Sequence, residues 1–287
     1  MLLNAGRAFA IKNDMIDSHV HIFAPAIVRD RAHIQDPVFT ALYGDPKAKM
    51  ATGEDLLRYM DECEIERAVV CNMTWEDPSL ARLNNEYILS FCSGHPERLY
   101  PMVTPPYLFS EKDAADLEGV LSSGAGIGEI RIPLSYLADP ASPLTALTEC
   151  VKKHHRVILL HASEPVGHLY PGKEKITPEV LEPFIKRCDA TLVLAHFGGG
   201  MAFYALMKEV REYLINCYFD TAAGPFLYSS EIFEIMIRLV GADRIMLGTD
   251  YPLLKISRIL REIDASALTD AERELITDKN ARELFFR

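Results

Sequence analysis

The sequence predicts a single-domain (β/α)8 TIM barrel over residues 1–287, and three observations carry that expectation. Eight short apolar runs alternate with longer stretches of helical periodicity. Several of the runs are almost continuously apolar, as parallel strands buried on both faces must be. The first run ends in Ser18–Phe23, which is nothing like the Gly-rich phosphate loop of a doubly wound open sheet.

The candidate strands are 14–22 (DMIDSHVHI), 67–74 (RAVVCNMT), 99–104 (LYPMVT), 127–132 (IGEIRI), 157–162 (VILLHA), 191–196 (TLVLAH), 215–221 (INCYFDT) and 244–249 (RIMLGT). Helices are expected at 53–65, 79–94, 110–123, 143–155, 177–188, 200–213 and 229–240, with two more at 255–265 and 270–285. Thr52 before Glu54 and Asp55, Ser110 before Asp113, and Thr177 before Pro178 supply cap chemistry, and Asp270 opens the last helix. Eight such units with right-handed crossovers close most simply into a barrel. The longest connection, residues 23–52, is expected to be a long capping loop over the mouth.

Of the 287 residues 49% are hydrophobic and 25% charged, the balance of a soluble globular protein. A net charge of −11 with no basic stripe argues against nucleic acid and anionic membrane surfaces as partners. The six cysteines are irregularly spaced without a C-x-x-C, which reads as a reduced intracellular chain. Asn4, Arg7 and Lys12 break any apolar leader, and no run approaches a membrane span, so a cytoplasmic location is expected.

His19 and His21 lie two residues apart at the end of the first strand, so both point to the same side. Such a pair alone is common. His161, His196 and Asp250, however, end the fifth, sixth and eighth strands. Polar residues at the C-terminal strand ends of a barrel sit on its active face. Five imidazole or carboxylate groups there suit a zinc-type divalent ion with an open position for water.

The pieces Ile16-Asp17-Ser18-His19-Val20-His21, Leu160-His161-Ala162, Leu194-Ala195-His196-Phe197-Gly198-Gly199 and Leu247-Gly248-Thr249-Asp250-Tyr251-Pro252 carry a family resemblance. So does the closing Asn280-Ala281-Arg282-Glu283-Leu284-Phe285. Together they resemble the amidohydrolase superfamily, in its amidohydrolase-related branch. That branch includes aminocarboxymuconate semialdehyde decarboxylase, resorcylate decarboxylases and pyrone-dicarboxylate lactonase.

The resemblance implies that His19, His21 and His161 are metal ligands. Asp250 is then a ligand or a neighbour of the metal-bound water, placed as general base. The counterpart of His196 acts on substrate in this branch and ligates in others. Glu129 resembles the strand-4 glutamate that helps hold a second metal in TatD-like nucleases; the plainer reading is a Glu129–Arg131 polar layer. One zinc ion is therefore expected, and two if Glu129 is a ligand. Arg131 is an anion hook or the structural partner of Glu129.

Residues 164–173 follow the fifth strand and carry His168, Tyr170 and Lys173, either as substrate contacts or as a solvated loop. Trp75, the only tryptophan, walls the pocket or caps the core. Asp220 and Thr221 support the site from behind. His95, His154 and His155 read as surface residues.

The leading functional expectation is hydrolysis of a small ester, lactone or amide, carboxylate-bearing, by a metal-activated water with Asp250 as base. The alternative is non-oxidative decarboxylation of an aromatic or unsaturated acid by the same residues. A third reading, an inactive barrel kept as a binding module, would be marked by lost ligands, and none is missing. The expected partners are a small-molecule substrate and a second copy of the chain in a homodimer.

Overall fold

A computed structural model describes residues 14–173 and 175–287. The leaderless reading of residues 1–13 lies outside them. The protein is a (β/α)8 TIM barrel, as expected. Its strands are β1 (Met15–His21), β2 (Ile65–Cys71), β3 (Leu99–Val103), β4 (Gly126–Ile130), β5 (Val157–Leu160), β6 (Thr191–Leu194), β7 (Cys217–Asp220) and β8 (Ile245–Met246). Each pairs in parallel with the next.

β8 is only two residues long, and the segment after it closes the ring. The amide and Oγ of Ser18 donate to the Leu247 carbonyl at 2.7 and 2.8 Å. His21 N donates to Tyr251 O at 2.7 Å, and Asp250 N to His19 O at 2.9 Å. The seam that shuts the barrel thus fixes Asp250 beside His19.

Alternate strand residues divide between two apolar layers. Val70, Ile158, Leu160, Leu192 and Leu194 face the surrounding helices. Ile16, Val69, Met102, Leu159, Val193 and Met246 face inward and pack with Phe285 of the final helix, Asn280–Phe285. Phe285 meets Tyr100 at a centroid distance of 5.1 Å.

Several boundaries moved for local reasons. The segment 23–52 is a folded cap, with helices Pro25–Asp30 and Pro37–Tyr43. Each starts on a proline, which is pre-set for the first helical turn. Buried Asp36 caps the second helix through Phe39 N (2.9 Å) and also accepts from the amides of Glu76 (2.7 Å) and Asp77 (2.8 Å). One carboxylate therefore pins the cap to the loop after β2. The stretch 110–123 divides into Glu111–Asp116 and Glu118–Ser122, and 200–213 into the 3-10 turn Met201–Leu206 and helix Lys208–Tyr213. Thr52 and Ser110 form full capping boxes, whereas Thr177 makes no side-chain cap bond. Thr269 caps the helix that Asp270 opens. All six cysteines are free thiols. Among the described residues, no helix is long and apolar enough to cross a membrane.

Candidate metal centre

The expected polar residues meet at the C-terminal mouth. His19 Nε2 and His21 Nε2 are 3.1 Å apart, so the two-residue spacing aims both rings at one point. Asp250 Oδ1 lies 3.4 Å from His21 Nε2. Glu129 Oε2 lies 3.5 Å from His21 Nε2 and 3.8 Å from His19 Nε2. Across the mouth, Glu129 Oε1 is 2.6 Å from His161 Nδ1 and 3.3 Å from His196 Nε2. Glu129 is thus central to the cluster, and its two oxygens face different pairs of histidines.

The backbone explains how these side chains arrive. Gly128, at φ 152°, passes so close to β5 that a Cβ would sit 2.6 Å from Leu159 Cβ. Only glycine permits that approach, and it lets Glu129 turn inward. His196 (φ 59°), Phe197 (φ 55°) and Asp250 (φ 62°) all occupy the left-handed region. Such backbone costs on the order of 1–3 kcal/mol per residue and persists where surrounding structure over-determines it. At His196 Asp220 does so: its Oδ1 accepts from His196 N at 2.9 Å and Ala222 N at 3.0 Å.

The other oxygen of Asp220 holds His19 Nδ1 at 2.9 Å, leaving Nε2 toward the mouth. The Cys71 carbonyl does the same for His21 Nδ1 at 3.0 Å, and the Ala222 carbonyl for His196 Nδ1 at 3.1 Å. Thr221 bonds Gly248 rather than any site residue. Asp17 grips Thr249 through its hydroxyl (2.6 Å) and amide (3.0 Å), which fixes the residue before Asp250. Burial pushes the Asp17 carboxyl up to about 7 against those hydrogen bonds.

The electrostatics favour added positive charge. Burial opposes protonation of His196, yet Glu129 beside it raises the imidazole to about 9. His19 is likewise pulled above its usual range by Asp220 despite its burial. His161 goes the other way: burial and the Arg131 charge lower it to about 3, so it stays a neutral donor. Burial resists the charge on Asp250, but His21 and His19 hold its carboxyl below the ordinary range. Nitrogen and carboxylate donors at this spacing fit a divalent cation. Four ligands at ~2.1 Å in a tetrahedron stand roughly 3.4 Å apart, and the separations around His21 are 3.1, 3.4 and 3.5 Å.

Arg131 is buried, donating from Nη1 to Gly172 O at 2.9 Å, while its amide is held by Thr74 Oγ1 at 2.8 Å. It lines a pocket of about 190 Å³ with Pro37, Val38, Leu42, Glu76 and Gly172, under the cap helix. Tyr170 is partly buried, and burial raises its phenol. His168 is exposed on its loop. Trp75 takes the core role and walls no open pocket: it is 0% exposed, stacked on Phe39 at 5.2 Å, with Nε1 donating to Asn72 Oδ1 at 3.0 Å.

Two neighbours were absent from the sequence expectation. Ser163 Oγ meets His161 Nε2 at 3.1 Å, and the His-x-Ser spacing could have shown it. Tyr43, edge-on to Phe23 at 4.8 Å, is partly buried within reach of the charges of Asp250 and Glu129. Nothing local marks it, because a tertiary contact brings its helix over the mouth.

An eight-stranded barrel with this donor cluster at its mouth defines a TIM-barrel enzyme of the cation-dependent kind. The chain belongs to the amidohydrolase family, whose profile matches residues 16–287. A gamma-resorcylate decarboxylase from Rhizobium sp. (strain MTP-10005) is 21% identical over 253 residues, covering 72% of this chain and 76% of that protein. The 5-carboxyvanillate decarboxylase of Sphingomonas paucimobilis superposes with a TM-score of 0.74 at 16% identity, covering 96% of this chain and 99% of its own. A dihydroxybenzoic acid decarboxylase from Polaromonas sp. JS666, solved with manganese and 2-nitroresorcinol, gives 0.71 at 18% identity, covering 96% and 97%. These matches correct the leading expectation of hydrolysis. The relatives are decarboxylases by name, which favours the alternative reading of the same residues.

Proposed function

We propose that this protein is a metal-dependent, non-oxidative decarboxylase of an aromatic carboxylic acid that carries a hydroxyl beside the carboxyl. What carries the reading is one coincidence: a cation-type donor cluster built around Asp250, in a barrel whose matched relatives are decarboxylases.

His19, His21 and Asp250 would hold a divalent ion, zinc or manganese by their mixed nitrogen and oxygen donors. When bound, that ion supplies positive charge that orients the substrate's carboxylate and adjacent hydroxyl and stabilises charge on them. The residues of the chain do the rest. The side chain of Asp250 is 18% exposed, the most open of the cluster, so its carboxylate faces the substrate. Held below the ordinary range, it is ionised on binding and takes the hydroxyl proton at Oδ.

The bond between ring and carboxyl carbon then breaks. Its electron pair stays on the ring carbon, CO₂ departs, and Asp250 delivers its proton to that carbon. The phenolate product regains a proton from water on release. Arg131, which lines the pocket beneath the cap, would pair with the substrate's anionic edge, and Tyr43 and Tyr170 lie within reach of the Glu129 and Arg131 charges. His168, on the exposed loop, is a contact only for a substrate that extends out of the mouth.

The test is a panel of hydroxybenzoates with the manganese- or zinc-reconstituted protein, scored by CO₂ release. Release from acids with an ortho hydroxyl, stopped by chelator, supports the reading. A metal-loaded protein that releases CO₂ from none of them would falsify it.

A further inference from the structure

We propose a cation site on the outside of the barrel, away from the mouth, where Glu118, Cys150 and His154 would hold a zinc-type ion. Glu118 opens helix Glu118–Ser122, which leads into β4. Cys150 lies on helix Pro143–Lys153, which leads into β5, and His154 is the residue that ends it. Four residues apart on a helix, Cys150 and His154 stand one turn apart on the same face. Glu118 meets them from the neighbouring helix, with Oε1 3.4 Å from His154 Nε2. One donor atom from each of the three lies within 4.8 Å of the others. His154 stands before the start of β5 and His161 just after its end, so the length of that strand separates this cluster from the mouth.

The donor set differs in kind from the one at the mouth, which is all imidazole and carboxylate. A thiolate is a soft ligand that selects zinc over harder ions such as manganese. Cys150 is a free thiol, half-buried against the apolar core, so one side of the site is dry. The side chain of His154 is 18% exposed and that of Glu118 46%, which leaves a path for the ion and room for a water as fourth ligand. Lys153 and His154 hold the Glu118 carboxyl below its ordinary range, so it is ionised and ready to bind. The Lys153 ammonium pairs with Glu118 Oε1. A bound ion takes over that pairing, sends the thiol proton of Cys150 to solvent, and frees the exposed Lys153 to swing into water. The result is a clip between the helices ahead of β4 and β5, the strands that carry Glu129 and lead to His161.

The site does not depend on the decarboxylase reading, and its test involves no substrate. The full-length protein is stripped with chelator and titrated with cobalt(II), a stand-in for zinc whose bond to a thiolate gives a charge-transfer band in the near ultraviolet. That band is expected in the unaltered protein and should be lost in Cys150→Ser. Alkylation of Cys150, followed by peptide mass spectrometry, should slow about 100-fold with zinc at about 100 times its dissociation constant, because only the metal-free fraction reacts. The same concentration of manganese(II) should leave that rate unchanged. Lys153→Met, which removes the cation that the ion replaces, should bind cobalt about 2–5-fold more tightly, the worth of an exposed ion pair. An unaltered protein that takes up cobalt to saturation without a thiolate band would overturn the inference. So would a Cys150 that alkylates as fast with zinc as without it. Both results are read on the unaltered chain and hold whether or not a variant folds. A band that survives in folded Cys150→Ser would overturn it as well, since the thiolate would then be another cysteine.

Discussion

The two ends of the barrel interior are built from the same strands by opposite rules. At the closed end Ile16, Val69, Met102, Leu159, Val193 and Met246 pack against Phe285, and no charge is present in that cluster. At the open end the next inward positions are His19, His21, Glu129, Arg131 and His161, all at least nine-tenths buried. The closed end gains stability from apolar burial. The open end gathers carboxylates and imidazoles that are costly to bury and sets two of those groups, His196 and Asp250, in left-handed backbone. The contrast teaches that the mouth is retained for chemistry, since a stability-optimised barrel would fill it with aliphatic side chains.

The largest effect that would sharpen the contrast lies at Asp250. Asp250→Asn should lower decarboxylation by about 10²–10⁴ in kcat, the range for losing a positioned acid–base group. Undiminished turnover would remove Asp250 from the proton path. At the other end, Phe285→Ala should cost about 3–5 kcal/mol of stability, read by denaturant unfolding, while leaving metal stoichiometry unchanged. If that variant lost metal with little loss of stability, the two ends would not be separable.

Asp220→Asn tests the support of the site. It disturbs the 2.9 Å bond to His19 Nδ1 and should weaken metal affinity about 10–100-fold in a manganese titration. Unchanged affinity would leave Asp220 a purely structural residue.

The smallest effect lies outside both ends. Arg282 holds the Glu66 carboxyl below its ordinary 4.5, through the ion pair that ties the last helix to β2. A carboxyl depressed by folding adds stability above pH 4.5, and that stability is lost as pH falls through the lower, folded value. Glu66→Gln should therefore destabilise by no more than about 1 kcal/mol at pH 7, and the difference from the unaltered protein should vanish in acid. A difference that persisted or grew at low pH would contradict that sign.

Much of this was legible in the sequence, and what was not has physical reasons. The strands were, because burial on both faces leaves continuous apolar runs such as Val157–Leu160. So was the rim, because His19 and His21 share a face and Asp250 follows the last strand. The cap helices were not: short helices started by Pro25 and Pro37 carry too few turns to show a period, and Asp36 anchors one of them by bonds 40 residues away. The burial of Trp75 was equally hidden, since it depends on Phe39 docking from the cap. The reaction was the least legible, because the same donors can activate water or orient a carboxylate.

The most direct measurement is a turnover in D₂O of the metal-reconstituted protein with 2,6-dihydroxybenzoate, the product resolved by NMR and mass spectrometry. The account predicts CO₂ and a resorcinol bearing one deuterium at the carbon that lost the carboxyl. A protein that binds metal yet returns the acid unchanged would contradict it.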